Sequence, residues 1–312
     1  MRLIFLGTPA FAVPTLEGIA AAGHDVVLVV TQPDRPGGRG QKLMPPPVKE
    51  SAERLGLPVF QPERVRRPEA VEHLRSLGAE AMVVVGYGQI IPQSVIDLAP
   101  LGIINVHASL LPKYRGAGPI QWAIIRGEAR TGVTTMRIDA GLDTGDMLLK
   151  AETEIGPEET AVELGRRLAV MGADLLVKTL DALAQGKIAA EKQNSEQASY
   201  APILKKEDGW IDWTQPAEVI HNRIRGLQPW PGAYTKLRGQ TLHIWRARVA
   251  SPAGAGAAPG RFLGVEPLRA ACGAGVLELT EVQLEGRKRM PAADFARGQR
   301  LTMEDLLGEA SH

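Results

Sequence analysis

The chain has a single cysteine, Cys272. One cysteine closes no internal disulfide and builds no thiolate metal cluster, so Cys272 is expected to be a small buried or half-buried side chain. Long apolar runs are also missing. No stretch is long enough to cross a membrane, and the apolar opening Met1–Gly7 is too short for the core of a signal peptide. A cytoplasmic protein with no membrane partner is expected. Charge of one sign is missing as well: 36 Lys and Arg stand against 35 Asp and Glu, a formal net charge of +1. Overall charge therefore draws no nucleic acid, which leaves only a local basic patch as a route to one. The fingerprint G-x-G-x-x-G is absent, because Gly7 is followed by Thr8, Pro9 and Ala10, and this disfavours a dinucleotide site. G-x-S-x-G is absent too, so no serine nucleophile elbow is expected.

What is present reads as two domains. The 312 residues, 44% of them hydrophobic, are enough for a sizeable core. Leu3–Leu6 reads as a buried strand. Gly7-Thr8-Pro9 then reads as strand end, helix N-cap and first helical residue, with a helix to about Ala22. Val26–Val30 is a second apolar strand. The alternation goes on with helices over 48–56 and 68–78 and strands at 59–60 and 81–85, the pattern of an α/β domain. Gly86-Tyr87-Gly88 makes a tight loop after the fully apolar strand, and Ile90 and Ile91 beside it would suit a flat heterocycle. Further strands are expected over 132–138 and 147–155. One long helix is expected over 157–186, its buried face formed by Leu164, Leu168, Met171, Leu175, Val177 and Leu180.

The centre of the domain is the stretch 103–119. Ile103 and Ile104 open it as a buried strand. Asn105 and His107, two residues apart, then share one face of that strand. Pro112, Gly116, Gly118 and Pro119 end it, which places the pair at the C-terminal end of the sheet, where α/β domains bind ligands. Later, Asp139, Asp143 and Asp146 lie among Gly141 and Gly145. The spacing of a calcium loop is missing there, so carboxylates and a histidine read as acid/base machinery with no metal.

Two regions carry local positive charge. Residues 32–47 have no periodicity and read as a mobile basic loop in which Arg35, Arg39 and Lys42 could contact phosphates. After an aperiodic linker over 190–206, short β-like runs at 210–213, 233–237, 242–249 and 275–284, with one short helix over 222–227, predict a small barrel, for which the OB-fold is a candidate. Arg246, Arg248, Arg287, Lys288 and Arg289 look clustered on it.

The motif Asn105-x-His107-x-Ser109-Leu110-Leu111-Pro112-x-x-x-Gly116, followed by Asp139-x-Gly141-x-Asp143-x-Gly145, resembles the signature of folate-dependent formyltransferases. The 32–47 loop and Leu227-Gln228-Pro229-Trp230-Pro231-Gly232-Ala233-Tyr234 are similar to segments of those members that formylate an aminoacyl-tRNA. The resemblance implies an α/β architecture: a Rossmann-like domain of mostly parallel sheet over 1–189, and a smaller OB-like barrel over 207–312 that contacts tRNA. It implies 10-formyltetrahydrofolate as formyl donor and methionyl initiator tRNA as acceptor, with a monomer and no metal. Asn105, His107 and Asp143 would be catalytic. Ser109, Leu110, Leu111, Pro112, Gly86, Tyr87, Gly88, Ile90, Ile91 and Asp139 would bind the folate. Arg35, Arg39, Lys42 and the C-terminal cations would bind tRNA, with Arg39 the favoured wedge residue. The chemistry fits the residues: Asn105 and a protonated His107 would stabilise a tetrahedral oxyanion, and Asp143 would support that protonated form and take the amine's proton through a water. A sugar-nucleotide formyltransferase would share the triad, as would a hydrolase with water as acceptor. A non-enzymatic RNA-binding protein would leave the triad unexplained.

Overall fold

The computed structural model describes residues 1–37, 42–252 and 256–308, which divide into two compact units. The first comprises Met1–Pro119, Arg130–Thr153 and Gly165–Ala201, and the second Ile120–Ala129, Glu154–Leu164 and Pro202–His312. In chain order the elements are β1 (Arg2–Gly7), α1 (Val13–Ala21), β2 (Asp25–Val30), β3 (Arg35–Gly37), β4 (Lys42–Met44), α2 (Pro47–Arg54) and β5 (Val59–Phe60). Then come α3 (Pro68–Ser76), β6 (Ala81–Val85), α4 (Gln93–Ile96), β7 (Ile103–His107), α5 (Pro119–Ile125), β8 (Arg130–Arg137), β9 (Met147–Glu154) and α6 (Ala161–Ala184). The second unit is completed by α7 (Ala217–Gly226), β10 (Ala233–Leu237), β11 (Gln240–Ser251), β12 (Phe262–Val265), β13 (Leu268–Ala271), β14 (Val276–Leu284), β15 (Met290–Pro291) and α8 (Ala292–Gln299).

The first unit is built on a seven-stranded sheet in the order β5-β2-β1-β6-β7-β8-β9. Its strands run parallel from β5 to β7, and β8 pairs antiparallel with β7. A parallel sheet covered on both faces needs continuous apolar strands, which is why β1, β6 and β7 are buried almost throughout. Alternate residues feed two cores. Leu3, Phe5, Val83, Val85, Ile104 and Val106 pack with Leu16, Ile19, Leu176 and Leu180. Ile4, Leu6, Met82, Val84 and Ile103 pack on the other side with Val71, Leu74 and Val95.

The second unit holds an antiparallel sheet in the order β10-β11-β14-β13-β12, with β15 beside β14. Leu306 bridges Arg261 next to β12, and Leu307 bridges Leu237 of β10, so the C-terminal segment joins the two edges. Closure of that kind removes exposed strand edges. The core inside includes Trp213, Ile220, Ile224, Leu242, Ile244, Phe262, Leu277 and Phe295. Cys272 is buried there, and burial pushes its thiol up to about 11.

Several local expectations change. Thr8 caps no helix: a 3-10 turn over Ala10–Ala12 precedes α1, and the Thr8 hydroxyl donates instead to the Tyr87 carbonyl at 2.8 Å. Residues 35–37 and 42–44 form a hairpin rather than an irregular loop, Arg35 pairing with Met44 and Gly37 with Lys42. Arg39 lies outside the described residues. The long helix begins at Ala161, where Thr160 and Glu163 exchange hydrogen bonds as a capping box; Leu176 joins Leu164, Leu168 and Leu180 on its fully buried face, while Met171 and Val177 are only half-buried. Residues 210–213 form no strand, while β12, β13 and α8 are additional. The stretch 190–206 is no free spacer. It divides at Ala201, and its first part is hydrogen-bonded into the first unit.

Candidate active site

β7 lies inside the sheet, between β6 and β8. Asn105 pairs in register with Val84 on one side and Met136 on the other, and His107 with Thr134. Both polar side chains share a face with Ile103, as a strand's two-residue period requires. Asn105 is 9% exposed, and its amide has no hydrogen-bond partner among the described residues. The amide is not sealed from solvent, so its donor and acceptor stay open to water or a ligand.

His107 is held by the loop that follows it. Its Nε2 lies 2.9 Å from the Tyr114 carbonyl oxygen. A carbonyl only accepts, so Nε2 carries the hydrogen and Nδ1 is the free nitrogen. Nδ1 faces Asp143 Oδ2 at 3.7 Å. A proton arriving on Nδ1 would complete an ion pair there.

The loop itself is braced by its own polar groups. The Ser109 hydroxyl donates to the Lys113 carbonyl at 2.6 Å, and Thr134 Oγ1 donates to the Ser109 carbonyl at 2.7 Å while accepting from the Leu111 amide. Leu111–Pro112 is cis, and Leu111 packs with Met136 and Met147. Gly116, at φ +114, passes under the Ala201 carbonyl, which a Cβ would meet at 2.7 Å.

The Asp139–Asp146 loop is brought against this one. The Asp143 carboxylate accepts the Gly116 amide at 2.8 Å. Its own backbone is left-handed at φ 52, a conformation that a non-glycine residue holds only when its surroundings fix it. Gln193 supplies that restraint. Its Nε2 donates to the carbonyls of Asp143 and Gly145, both at 2.8 Å. Its Oε1 accepts from Nε and a terminal nitrogen of the buried Arg115, at 3.0 and 2.8 Å. Sequence reasoning missed both residues, since Gln193 lies in the aperiodic stretch and Arg115 in the turn after β7. Asp139 spends its carboxylate inside the loop, accepting from the Gly141 amide and the Thr144 hydroxyl.

The Gly86–Gly88 loop lies at the same end of the sheet. Gly86 and Gly88 both take positive φ. The Tyr87 carbonyl is held by Thr8 Oγ1 and by Gln32 Nε2 at 3.2 Å, tying β6 to the ends of β1 and β2. The Tyr87 ring is buried in the core, whereas Ile90 is 92% exposed and Ile91 half-buried. So only the backbone of this loop and Ile90 face outward from the set expected to meet a heterocycle. Among the described residues no cluster of three or more His, Cys, Asp or Glu is placed to hold a metal, and no described helix is long and apolar enough to cross a membrane.

The basic residues fall in separate places. Arg35 pairs with Glu63 at 3.0 Å, and Lys42 is exposed on β4. Arg246 and Arg248 lie on β11, pairing with Glu163 at 3.2 Å and Glu278 at 2.6 Å. They line a cavity of about 320 Å³ together with His221, Arg225 and Gln228. Arg287 and Lys288 are exposed in the turn before β15, and Arg289 pairs with Glu281 at 3.6 Å.

A family model described as formyl transferase matches residues 1–180, and one described as formyl transferase, C-terminal domain, matches residues 203–300. Proteins called methionyl-tRNA formyltransferase are similar along their whole length. That of Solibacter usitatus is 72% identical over 309 residues, covering 99% of each chain. That of Geobacter sulfurreducens is 52% identical, covering 99% of this chain and 98% of its own. Among solved structures, an N-formyltransferase from Helicobacter canadensis with folinic acid and dTDP-3-aminofucose matches at a TM-score of 0.66 and 20% identity, over 89% of this chain and 99% of that one. HypX from Aquifex aeolicus with tetrahydrofolic acid matches at 0.65 and 17% identity; this chain spans 47% of its length. At such identities the structural likeness speaks for the fold alone.

Proposed function

The chain belongs to the formyl transferase family, and we propose that it moves the formyl group of 10-formyltetrahydrofolate onto the amino group of methionyl initiator tRNA, in support of translation initiation. The observation that carries the reading is the partnerless Asn105 amide beside His107 and Asp143 at the C-terminal end of β7. The full-length similarity to proteins named for this reaction points to the same acceptor.

The folate, when bound, would supply a formyl carbon on N10 that the amine attacks; the C–N10 bond then breaks as the oxyanion collapses, and N10 takes a proton from water to leave as tetrahydrofolate. Asn105 donates its free N–H to the oxygen that becomes an oxyanion, which is where a single well-placed donor is typically worth roughly 3–4 kcal/mol. His107 presents Nδ1 to the same region, and its protonated form adds a positive charge to the developing negative one. Asp143, fixed by Gly116 and Gln193, stabilises that imidazolium and receives, through a water, the proton the amine loses. The Gly86–Gly88 backbone and Ile90 offer amide groups and an apolar surface to the pterin, half-buried Leu110 and Pro112 add to that surface, buried Ser109 and Leu111 brace their turn from within, and Asp139 holds the Asp143 loop. No nucleophile from the chain takes part. Arg35, Lys42 and the cations of the second unit hold the tRNA backbone, and the enzyme acts as a monomer in the cytoplasm.

The test is acceptor choice. Formyl transfer is measured with charged methionyl initiator tRNA, with the uncharged tRNA, with an amino-sugar nucleotide and with no acceptor. Transfer to the charged tRNA alone is expected. Transfer to the sugar nucleotide, or release of formate without an acceptor, would overturn the assignment.

A further inference from the structure

The outer face of the second unit's sheet carries rings where the core does not need them. In β10 and β11 the inward residues are Ala233, Thr235, Leu237, Leu242 and Ile244, all buried. The residues between them point the other way: Tyr234 on β10, and His243 and Trp245 on β11, each half-buried. Tyr234 and His243 are direct cross-strand neighbours. Phe, Trp and Tyr make up only 4% of the chain, yet two of them, with a histidine ring between, occupy neighbouring outward positions across β10 and β11. Solvent-facing sheet positions are ordinarily polar.

These rings form one continuous row. Trp210 meets Tyr234 edge to face at 5.8 Å, Tyr234 leans on His243 at 5.8 Å, and His243 stacks on Trp245 at 5.7 Å and 17°. The Arg289 guanidinium lies over the Trp245 ring, 3.9 Å from its centre. The planes are fixed by their surroundings. Trp245 Nε1 donates to Gln283 Oε1 at 2.9 Å, and Gln283 Nε2 donates to the Arg287 carbonyl at 2.8 Å. Gly209 and Gly232 allow the backbone to approach the Tyr234 and Trp245 rings closely. Burial keeps His243 below the ordinary histidine range, so at neutral pH it is an uncharged ring. Trp210, at the open end, is 37% exposed.

We infer that this row is a stacking platform for unpaired nucleobases of an RNA, a role that rests on the RNA acceptor proposed above. Flat faces accept any base, and the cations around the row meet the phosphates that accompany it. Lys206, Arg287, Lys288 and Arg289 provide that charge, with Glu207, Asp208, Glu281 and Glu285 as the acidic neighbours. Arg289 over the Trp245 ring, with Arg287 and Lys288 exposed beside it, favours a phosphodiester over an apolar protein segment at that end of the row.

The experiment uses the full chain and tryptophan fluorescence. It is titrated with a single-stranded adenosine octamer and with an abasic phosphodiester of the same length. The octamer should quench the fluorescence and bind about tenfold more tightly than the abasic strand. Trp210→Leu should lose about fivefold on the octamer and nothing on the abasic strand. Equal binding of the two strands, or no binding of either, overturns the inference, and that comparison needs no variant. Formyl transfer to charged tRNA is measured on the same preparation. Transfer with base-blind binding removes the platform alone; base-dependent binding without transfer removes the proposed reaction alone.

Discussion

At the scale of single residues, the candidate site is a set of polar groups whose partners come from far along the chain. Gln193 lies 50 residues from Asp143 and 78 from Arg115, yet both its amide atoms are fully used between them. It is a positioning residue: it holds the left-handed backbone that aims the Asp143 carboxylate. Gln193→Ala should lower kcat about tenfold or more with a much smaller change in KM, because a small misplacement of an acid/base group costs rate. Equal effects on both would assign it a merely structural role. Tyr87 offers a separate test. Its hydroxyl is buried without a partner among the described residues, and burial pushes it up to about 12. Tyr87→Phe should therefore stabilise the protein by about 1 kcal/mol at neutral pH. The folded-state value lies above that of the unfolded chain, so the tyrosine's contribution is lost as pH rises from about 10 toward 12. Denaturant midpoints at pH 7 and pH 11 check both statements: the variant's gain should grow at the higher pH.

At the scale of elements, the strands that position the site announce themselves and their connections do not. Continuous apolar runs mark β1, β6 and β7 because both faces of a parallel sheet are covered, and the Asn105/His107 spacing marks the candidate site at the end of β7. The hydroxyl of Thr8 looks like a helix cap locally, but it answers a carbonyl 79 residues away. β12 and β13 are four residues each, too short for their alternation to stand out, though buried Leu268 and Ala270 flank exposed Arg269. Gln193 sits in a stretch with no period at all, so nothing local reveals it. The long helix α6 provides the element-scale test. Thr160 and Glu163 cap its start reciprocally, and hydrogen bonds from Thr160 hold the Glu163 carboxyl below its ordinary range. Thr160→Ala should cost about 1 kcal/mol, read as a fall in the denaturant midpoint. No change would mean the helix start is held by packing alone.

At the scale of the whole molecule, the pH dependence of stability should show a step on the acid side of neutrality. Burial lowers His24 first of all, with the nearby N-terminal charge acting the same way, and burial likewise lowers His243. A depressed folded value means that the unfolded chain takes up protons first. The stability these histidines contribute is present above about pH 6.5 and is lost as pH falls through their folded values. The melting midpoint should drop between pH 7 and pH 5, and less so in His24→Asn. The two family matches, to residues 1–180 and 203–300, cover both the parallel-sheet unit and the antiparallel one. The central claim, however, concerns three side chains of the first. The measurement that tests it most directly is single-turnover formyl transfer from 10-formyltetrahydrofolate to charged methionyl initiator tRNA by Asn105→Ala, with folate binding followed in parallel. The expected result is a rate reduced roughly 100- to 1,000-fold, with folate affinity changed far less, the signature of a donor used at the oxyanion. A variant that transfers at the unaltered rate, or that loses rate only because it no longer binds the folate, would contradict the role given to Asn105.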